Sequence, residues 1–573
     1  MRAIRLITPI ILAYILSGCG SEGDSSIASF LIDEPTVDIK SRVLYNESAY
    51  IPSQCYTTTC DIPSQCYTAT NQYYATAKDA NGQTYNPCYS CHRDSIEPNY
   101  VDDGGLQEES SFALLSTKNH WTNLFADNSA EIAKISNNEI GSYVSTDNYK
   151  TNGVITLAEK LKNLQSNWDI DGDKKWNGYV PDCYFSFDED GFDKDQKGAY
   201  TGWRAFAYYP FLGTFWPTNG STDDVLIRLQ DTFQKDEKGV FDKEVYKTNL
   251  AIVEALIRKK DININQIDES RFGVDLDGDG KINITSKIKY SYETGKTSSM
   301  SYVGYAKKAL ANGSVNLAGG LFPVGTEFLH SVRYIDASKS PVGMAKRMKE
   351  LRYAKKTEWL GYEKLAIIAG GAVREKQADQ NALESFSGDA ERGLRSRGGW
   401  VYQGFIEDAR GELRPQNYEE TLFCMGCHGG IGATTDTIFA FARKFDAADS
   451  WYHWSKKGLQ GIAEPKNVDG LAEYSRYLAN NRAGDEFGAN DEILSKFFDQ
   501  KGALKESEVA KIKDDISYLL LPSMERAIKL NKAYRVIVKK QSYIYGRDTV
   551  LAPVKNVNKN VVQNAPTGLT AIR

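Results

Sequence analysis

A chain of 573 residues with a net charge of −6 is long enough to bury a large core, and length alone suggests roughly two to four domains. It presents no overall basic balance to meet the phosphates of a nucleic acid, so nucleic acid is excluded as a partner. No segment beyond the first turns of the chain is apolar for the roughly 20 residues that a membrane-spanning helix needs, so the body is expected to be water-soluble.

Residues 1–19 read as an export signal. Met1 to Arg5 is basic, and Leu6 to Leu16 is an apolar run too short to stay in a bilayer as a helix. Leu16-Ser17-Gly18-Cys19 then matches a bacterial lipobox, which makes Cys19 the expected acylated N-terminus. An ordinary cleaved signal peptide with a chance cysteine is the plainer alternative. Acyl chains contributing about 0.8 kcal/mol per buried CH₂ would hold the protein firmly to a membrane surface. Gly20 stands where an Asp would signal retention at the inner membrane, so resemblance to other bacterial lipoproteins favours the outer one. Residues 20–50 read as a tether, being rich at first in Gly, Ser and acidic side chains.

Two pentapeptides dominate the rest of the chain. Cys88-Tyr89-Ser90-Cys91-His92 and Cys424-Met425-Gly426-Cys427-His428 both have the spacing by which an exported chain holds haem: two thiols bond the porphyrin and the next His supplies the proximal imidazole. With these motifs and the lipobox, the sequence resembles a di-haem c-type cytochrome of the lipoprotein kind. The resemblance covers little of the chain. It implies two covalent haem c groups, Cys88, Cys91, Cys424 and Cys427 as attachment points, His92 and His428 as proximal iron ligands, and redox partner proteins in the cell envelope.

Nine cysteines less the lipobox and haem residues leave Cys55, Cys60, Cys66 and Cys183, an even number that suits two disulfides in an oxidising compartment. Sequence does not choose among three pairings, although a bridge from Cys183 back to the duplicated Ile-Pro-Ser-Gln-Cys-Tyr-Thr segments is preferred. Residues 51–200 form the expected N-terminal haem region, with short helices from about Gln107 to Thr151. His120 beside Trp121 is a local imidazole for the first haem or simply an exposed one.

Residues 201–396 read as a mixed middle region. Asp169, Asp171 and Asp173 lead into it, and Asp275, Asp277 and Asp279 fall within it. Both triads place oxygens at alternate positions, as a calcium loop does. Val180 and Ser286 occupy the twelfth positions where an EF-hand has Glu, so neither loop is complete, and a solvated acidic turn is the alternative for each. The aromatic run from Gly202 to Gly220 is expected to be irregular and to lie over a large flat surface or to line the core, with Arg204 available to a haem propionate. Tyr246, Leu250, Val253 and Ile257 share a helical face. Lys287 to Ala318 alternates as strands do, and Ser340-Pro341 is expected to open a helix through about Lys356. His330 stands in an apolar setting and is a distal ligand candidate.

Residues 397–550 read as the helical C-terminal haem region, where His453 between aromatic residues is the second distal candidate and Met524 a runner-up. Residues 551–573 read as an extended tail. The fold expected is α+β and mainly α, with helices packed on haem and a small mixed region between. Of five histidines, three remain for two distal positions. If two of them bind, both irons are closed and the protein carries electrons. If one iron stays open, a di-haem oxidoreductase of peroxidase or oxygenase type is the alternative.

Overall fold

Strands, not the helices expected, organise the body. In the computed structural model its strands form one ten-stranded antiparallel sheet. The structure describes residues 35–40, 42, 50–56, 77–78, 84–85, 91, 112–211, 217–296, 298–447, 449–466, 470–481, 490–555 and 557–563. Residues from Pro35 onward belong to one unit, separate from Met1–Glu34.

In chain order the principal elements are helix α1 (Asn137–Ser145), strands β1 (Phe192–Lys194), β2 (Tyr200–Phe206), β3 (Thr222–Asp223) and β4 (Val225–Arg228), and helix α2 (Lys243–Arg258). A separate hairpin of β5 (Ile262–Asp268) and β6 (Ile284–Ile288) comes next. Then come β7 (Glu327–Asp336), β8 (Gly343–Lys356), helix α3 (Tyr362–Ala378), β9 (Gly388–Asp389), β10 (Gly393–Arg395), β11 (Trp400–Glu407), β12 (Leu413–Pro415), helix α4 (Tyr418–His428) and helix α5 (Met524–Lys540). The sheet runs β9-β10-β11-β8-β7-β4-β2-β1, with β12 added beside β11 and β3 beside β7.

Alternation along these strands separates two faces. Val225, Ile227, Phe328, Ala354, Trp400 and Tyr402 pack on one side with α2 and the apolar residues of α4. Leu226, Leu329, Leu351 and Phe405 pack on the other with Tyr149, Leu157, Leu161 and Trp168. The first face carries the functional cavity.

The mainly helical fold is therefore corrected. Gly343–Lys356 is a strand paired on both sides, Arg352 standing opposite His330 on β7 and Gly404 on β11. A strand covered on both faces loses polar-apolar alternation, and its buried Arg347 and Glu350 with half-buried Arg352 mimic a helical surface. Lys287–Ala318 holds only the end of β6 and a helix at Tyr305–Ala311, with irregular chain between. The aromatic run begins as strand β2 instead of irregular chain.

The face with Tyr246, Leu250, Val253 and Ile257 does form α2, capped by the Asp242 carboxylate on the Glu244 and Val245 N–H groups. In the expected tail, Val554, Val557 and Val561 are buried with Tyr56 and Trp121.

Candidate functional site

Helix α4 begins with a capping box. The Asn417 side chain accepts from the Glu420 N–H at 2.8 Å, and the Glu420 carboxylate accepts from the Asn417 N–H at 2.9 Å. Arg414 grips the same carboxylate with two bonds of 2.8 Å, all in the interior. From that anchored start the helix delivers Cys424, Cys427 and His428, spaced i, i+3 and i+4, onto one face. All three line a cavity of about 1950 Å³, mouth included, floored by the sheet.

The tautomer of His428 is set by its surroundings. Its Nδ1 lies 2.9 Å from the carbonyl of Thr437, so this nitrogen carries the proton and Nε2 keeps its lone pair. That carbonyl sits in a left-handed turn, Asp436 at φ 51° and Thr437 at φ 60°, which Lys356 fixes through a fully buried ion pair with Asp436. The Tyr402 hydroxyl adds a 3.0 Å bond to Thr437 Oγ1. None of these partners carries a local sequence signal, because they come from β8, β11 and a distant turn. The capping box alone was readable as Asn417 followed three residues later by Glu420.

His330 on β7 lines the same cavity as His428. Burial pushes each imidazole down to about 4, Arg352 lowering both further while backbone contacts to Asp224 for His330 and Thr437 for His428 pull back. Both rings are therefore neutral at pH 7, the state in which imidazole ligates a metal. Between the strands, Glu350 accepts from Arg352 at 2.9 Å, Arg547 at 2.7 Å and Gln416 at 3.2 Å. Burial would raise its pKa, but the two guanidinium groups outweigh burial and hold the carboxyl below its usual range.

Protonatable groups share the cavity. Burial raises Asp223 to about 7 despite the bond donated by the Tyr208 hydroxyl. Burial lowers Lys349 to about 7, where its ammonium donates to the Gly220 carbonyl at 2.6 Å and Ser221 Oγ at 2.9 Å. Tyr208 and Phe211 of the aromatic run line the cavity too.

The N-terminal segment closes over α4. Pro52 and Gln54 line the cavity, and a Cβ on Gly426 would meet the Tyr50 carbonyl at 2.0 Å, so a side chain at this position would displace the segment. The Cys91 carbonyl accepts from the Ala433 N–H at 3.1 Å, which brings the end of the first pentapeptide beside the chain leaving the second. Cys88 and His92 lie outside the described residues, as do Cys19, Cys60 and Cys66.

Other expected residues stand elsewhere. His453 is not among the cavity-lining residues. Its Nε2 is 2.9 Å from Asp224 Oδ2, its Nδ1 is 2.7 Å from Ser455 Oγ, and its ring stacks on Phe187, so both nitrogens are engaged. Met524 is exposed at the start of α5, and half-buried His120 packs edge-on against Trp121. Arg204 lies sandwiched between Phe192 and Trp451 with its Nε on the Asp190 carbonyl. Cys183 is buried and carries no disulfide. Asp169, Asp171 and Asp173 bring carboxylate oxygens within 4.8 Å of one another. Asp275 and Asp277 do the same with Glu269, a buried partner the sequence did not suggest.

The fold and site define a sheet-based scaffold with a buried Cys-x-x-Cys-His helix end facing a second histidine. A family model described as a "-like lipoprotein" matches residues 39–516, and the chain belongs to this lipoprotein family. A protein of Aquifex aeolicus (strain VF5) entitled "Uncharacterized lipoprotein" is 30% identical over 600 residues, covering 96% of this chain and 93% of that protein. No solved structure matches the chain. Membership of a lipoprotein family implies association with a membrane through a lipid anchor, and no helix among the described residues is long and apolar enough to cross one.

Proposed function

We propose that the protein is an exported c-type cytochrome of the bacterial cell envelope, anchored through acylated Cys19, that carries electrons between redox partner proteins. The observation that carries this reading is the His428 ring, its Nδ1 committed to Thr437 and its Nε2 left for the cavity that Cys424, Cys427 and His330 share. This donor set fits haem c: Cys424 and Cys427 would hold it through thioethers, and His428 and His330 would offer imidazoles to its iron. Bound there, haem would supply one-electron redox chemistry.

The chain's own residues set its conditions. Thr437 strengthens the donor power of His428, and Glu350 with Arg352 and Arg547 fixes the local charge. Cys88, Cys91 and His92 would hold a second haem, and the bond from Ala433 N–H to the Cys91 carbonyl supports an attachment near the first. The outer membrane is the favoured location, following Gly20.

A di-haem oxidoreductase with one open iron is the second reading, favoured by Asp223, which burial raises to about 7, and Lys349, which burial lowers to about 7, both lining the same cavity.

The test is expression in a host that matures c-type cytochromes. A pyridine haemochrome and intact mass should show two haems, and Cys424→Ala with Cys427→Ala should remove one. His330→Ala should turn one low-spin haem high-spin. Colourless wild-type protein sinks the proposal, and an unchanged His330→Ala spectrum rejects that ligand. Carbon monoxide binding to one haem of the wild type as purified would favour the oxidoreductase.

A further inference from the structure

Three donors on one wall of the cavity have protons to spare. Lys349 on β8 is fully buried, and its ammonium donates to the Gly220 carbonyl at 2.6 Å and to Ser221 Oγ at 2.9 Å, both uncharged. The Ser221 oxygen is engaged by that bond, and its own proton has no acceptor among the described residues. Tyr534 on α5 turns its ring to the ammonium, with Lys349 Nζ 4.0 Å from the ring centre. It is only 2% exposed, and its hydroxyl has no hydrogen-bond partner among the described residues. All three residues line the cavity.

The acceptors nearby are committed elsewhere. Glu407 takes the Tyr143 and Tyr334 hydroxyls, each at 2.6 Å, and Arg347 at 3.1 Å. Of the carboxyls that line the cavity, Glu350 is held by Arg352, Arg547 and Gln416, Asp223 accepts from the Tyr208 hydroxyl, and Asp548 accepts from Ser53 Oγ at 2.8 Å. Glu407 and Glu350 attract the Lys349 ammonium, yet burial outweighs both. A buried cation beside two unanswered hydroxyl protons calls for an anion. A carboxylate, with two oxygens and about four lone-pair sites, can answer all three donors at once.

We propose that Lys349, Ser221 and Tyr534 form a carboxylate-binding subsite of the cavity. Its ligand is a propionate of bound haem or the carboxylate of a free organic acid, and only the first of these rests on the haem reading. Arg204, expected to meet a propionate, is instead enclosed between Phe192 and Trp451.

Two measurements on the full chain test this in the wild type, Tyr534→Phe, Ser221→Ala and Lys349→Met. Calorimetry follows acetate, a bare carboxylate, and resonance Raman follows the propionate bending bands of bound haem. A propionate in the subsite predicts shifted bands in the variants, an unchanged pyridine haemochrome and no acetate binding by the wild type. A free acid predicts saturable acetate binding by the wild type, weakened about tenfold or more in Tyr534→Phe, with the bands unmoved. Unmoved bands together with no acetate binding, or acetate binding unchanged in Tyr534→Phe and Ser221→Ala with native circular dichroism, overturn the proposal whatever becomes of Lys349→Met. In a colourless protein the acetate titration alone decides, so failure of the haem reading and failure of the subsite are told apart.

Discussion

Asp223 shows how one buried group ties stability to pH. Burial is the main reason its carboxyl stands at about 7 in the folded protein against 3.8 for an exposed one. Because the folded value lies above the unfolded one, its contribution is fully present below about pH 4 and is lost as pH rises through 7. Asp223→Asn should therefore stabilise the protein at pH 8 by about 2–4 kcal/mol and change little at pH 4. Urea unfolding at the two pH values checks it, and an equal effect at both would sink it. The same scale explains what sequence could offer at the site. Cys424, Cys427 and His428 are legible because their spacing is local, and His330 was legible as an imidazole in an apolar run. The engagement of both His453 nitrogens was not, since Asp224 lies 229 positions away.

At the level of elements, α4 is where local signals and long-range contacts meet. Its capping box is written in four consecutive residues, but its load is carried by Arg414, which makes two bonds to the Glu420 carboxylate while Arg547 adds attraction from farther off. Arg414→Leu should cost about 3–5 kcal/mol by stranding that carboxylate, and the Arg414→Leu, Glu420→Leu pair should recover much of the loss. Denaturant midpoints of the single and double variants measure this, and a double variant no better than the single would refute it. β8 illustrates the opposite case. Its Arg347 and Glu350 are buried and its Arg352 is half-buried, all three paired, so charge on covered positions breaks the alternation that would mark it as a strand. Helix α2 is buried along most of its length, but Lys243, Glu244, Lys247 and Arg258 stay partly open and its apolar residues keep the helical spacing, so it could be read directly.

For the whole molecule, the sheet places strands from Phe192 to Pro415 side by side, with α2, α4 and the N-terminal segment on the cavity face. Membership of a lipoprotein family implies a lipid attachment to the membrane, which the proposal puts at Cys19. Cys19→Ala should shift the protein from the membrane fraction to the soluble fraction of the envelope with its absorption spectrum unchanged. Quantitative fractionation checks this, and continued sedimentation with membranes at high salt would place the anchor elsewhere.

The sequence by itself determined what short spacing can encode: the two Cys-x-x-Cys-His segments, the acidic loops, the amphipathic face of α2 and the export-type start. Only the tertiary structure decided that the core is a sheet, because strands buried on both faces carry no alternation to read. It alone brought His330 to His428, Thr437 to the His428 ring and Lys349 to Ser221, 128 positions earlier. Such pairings are chosen by which backbones hydrogen-bond across the sheet, and no window of neighbouring residues contains that choice.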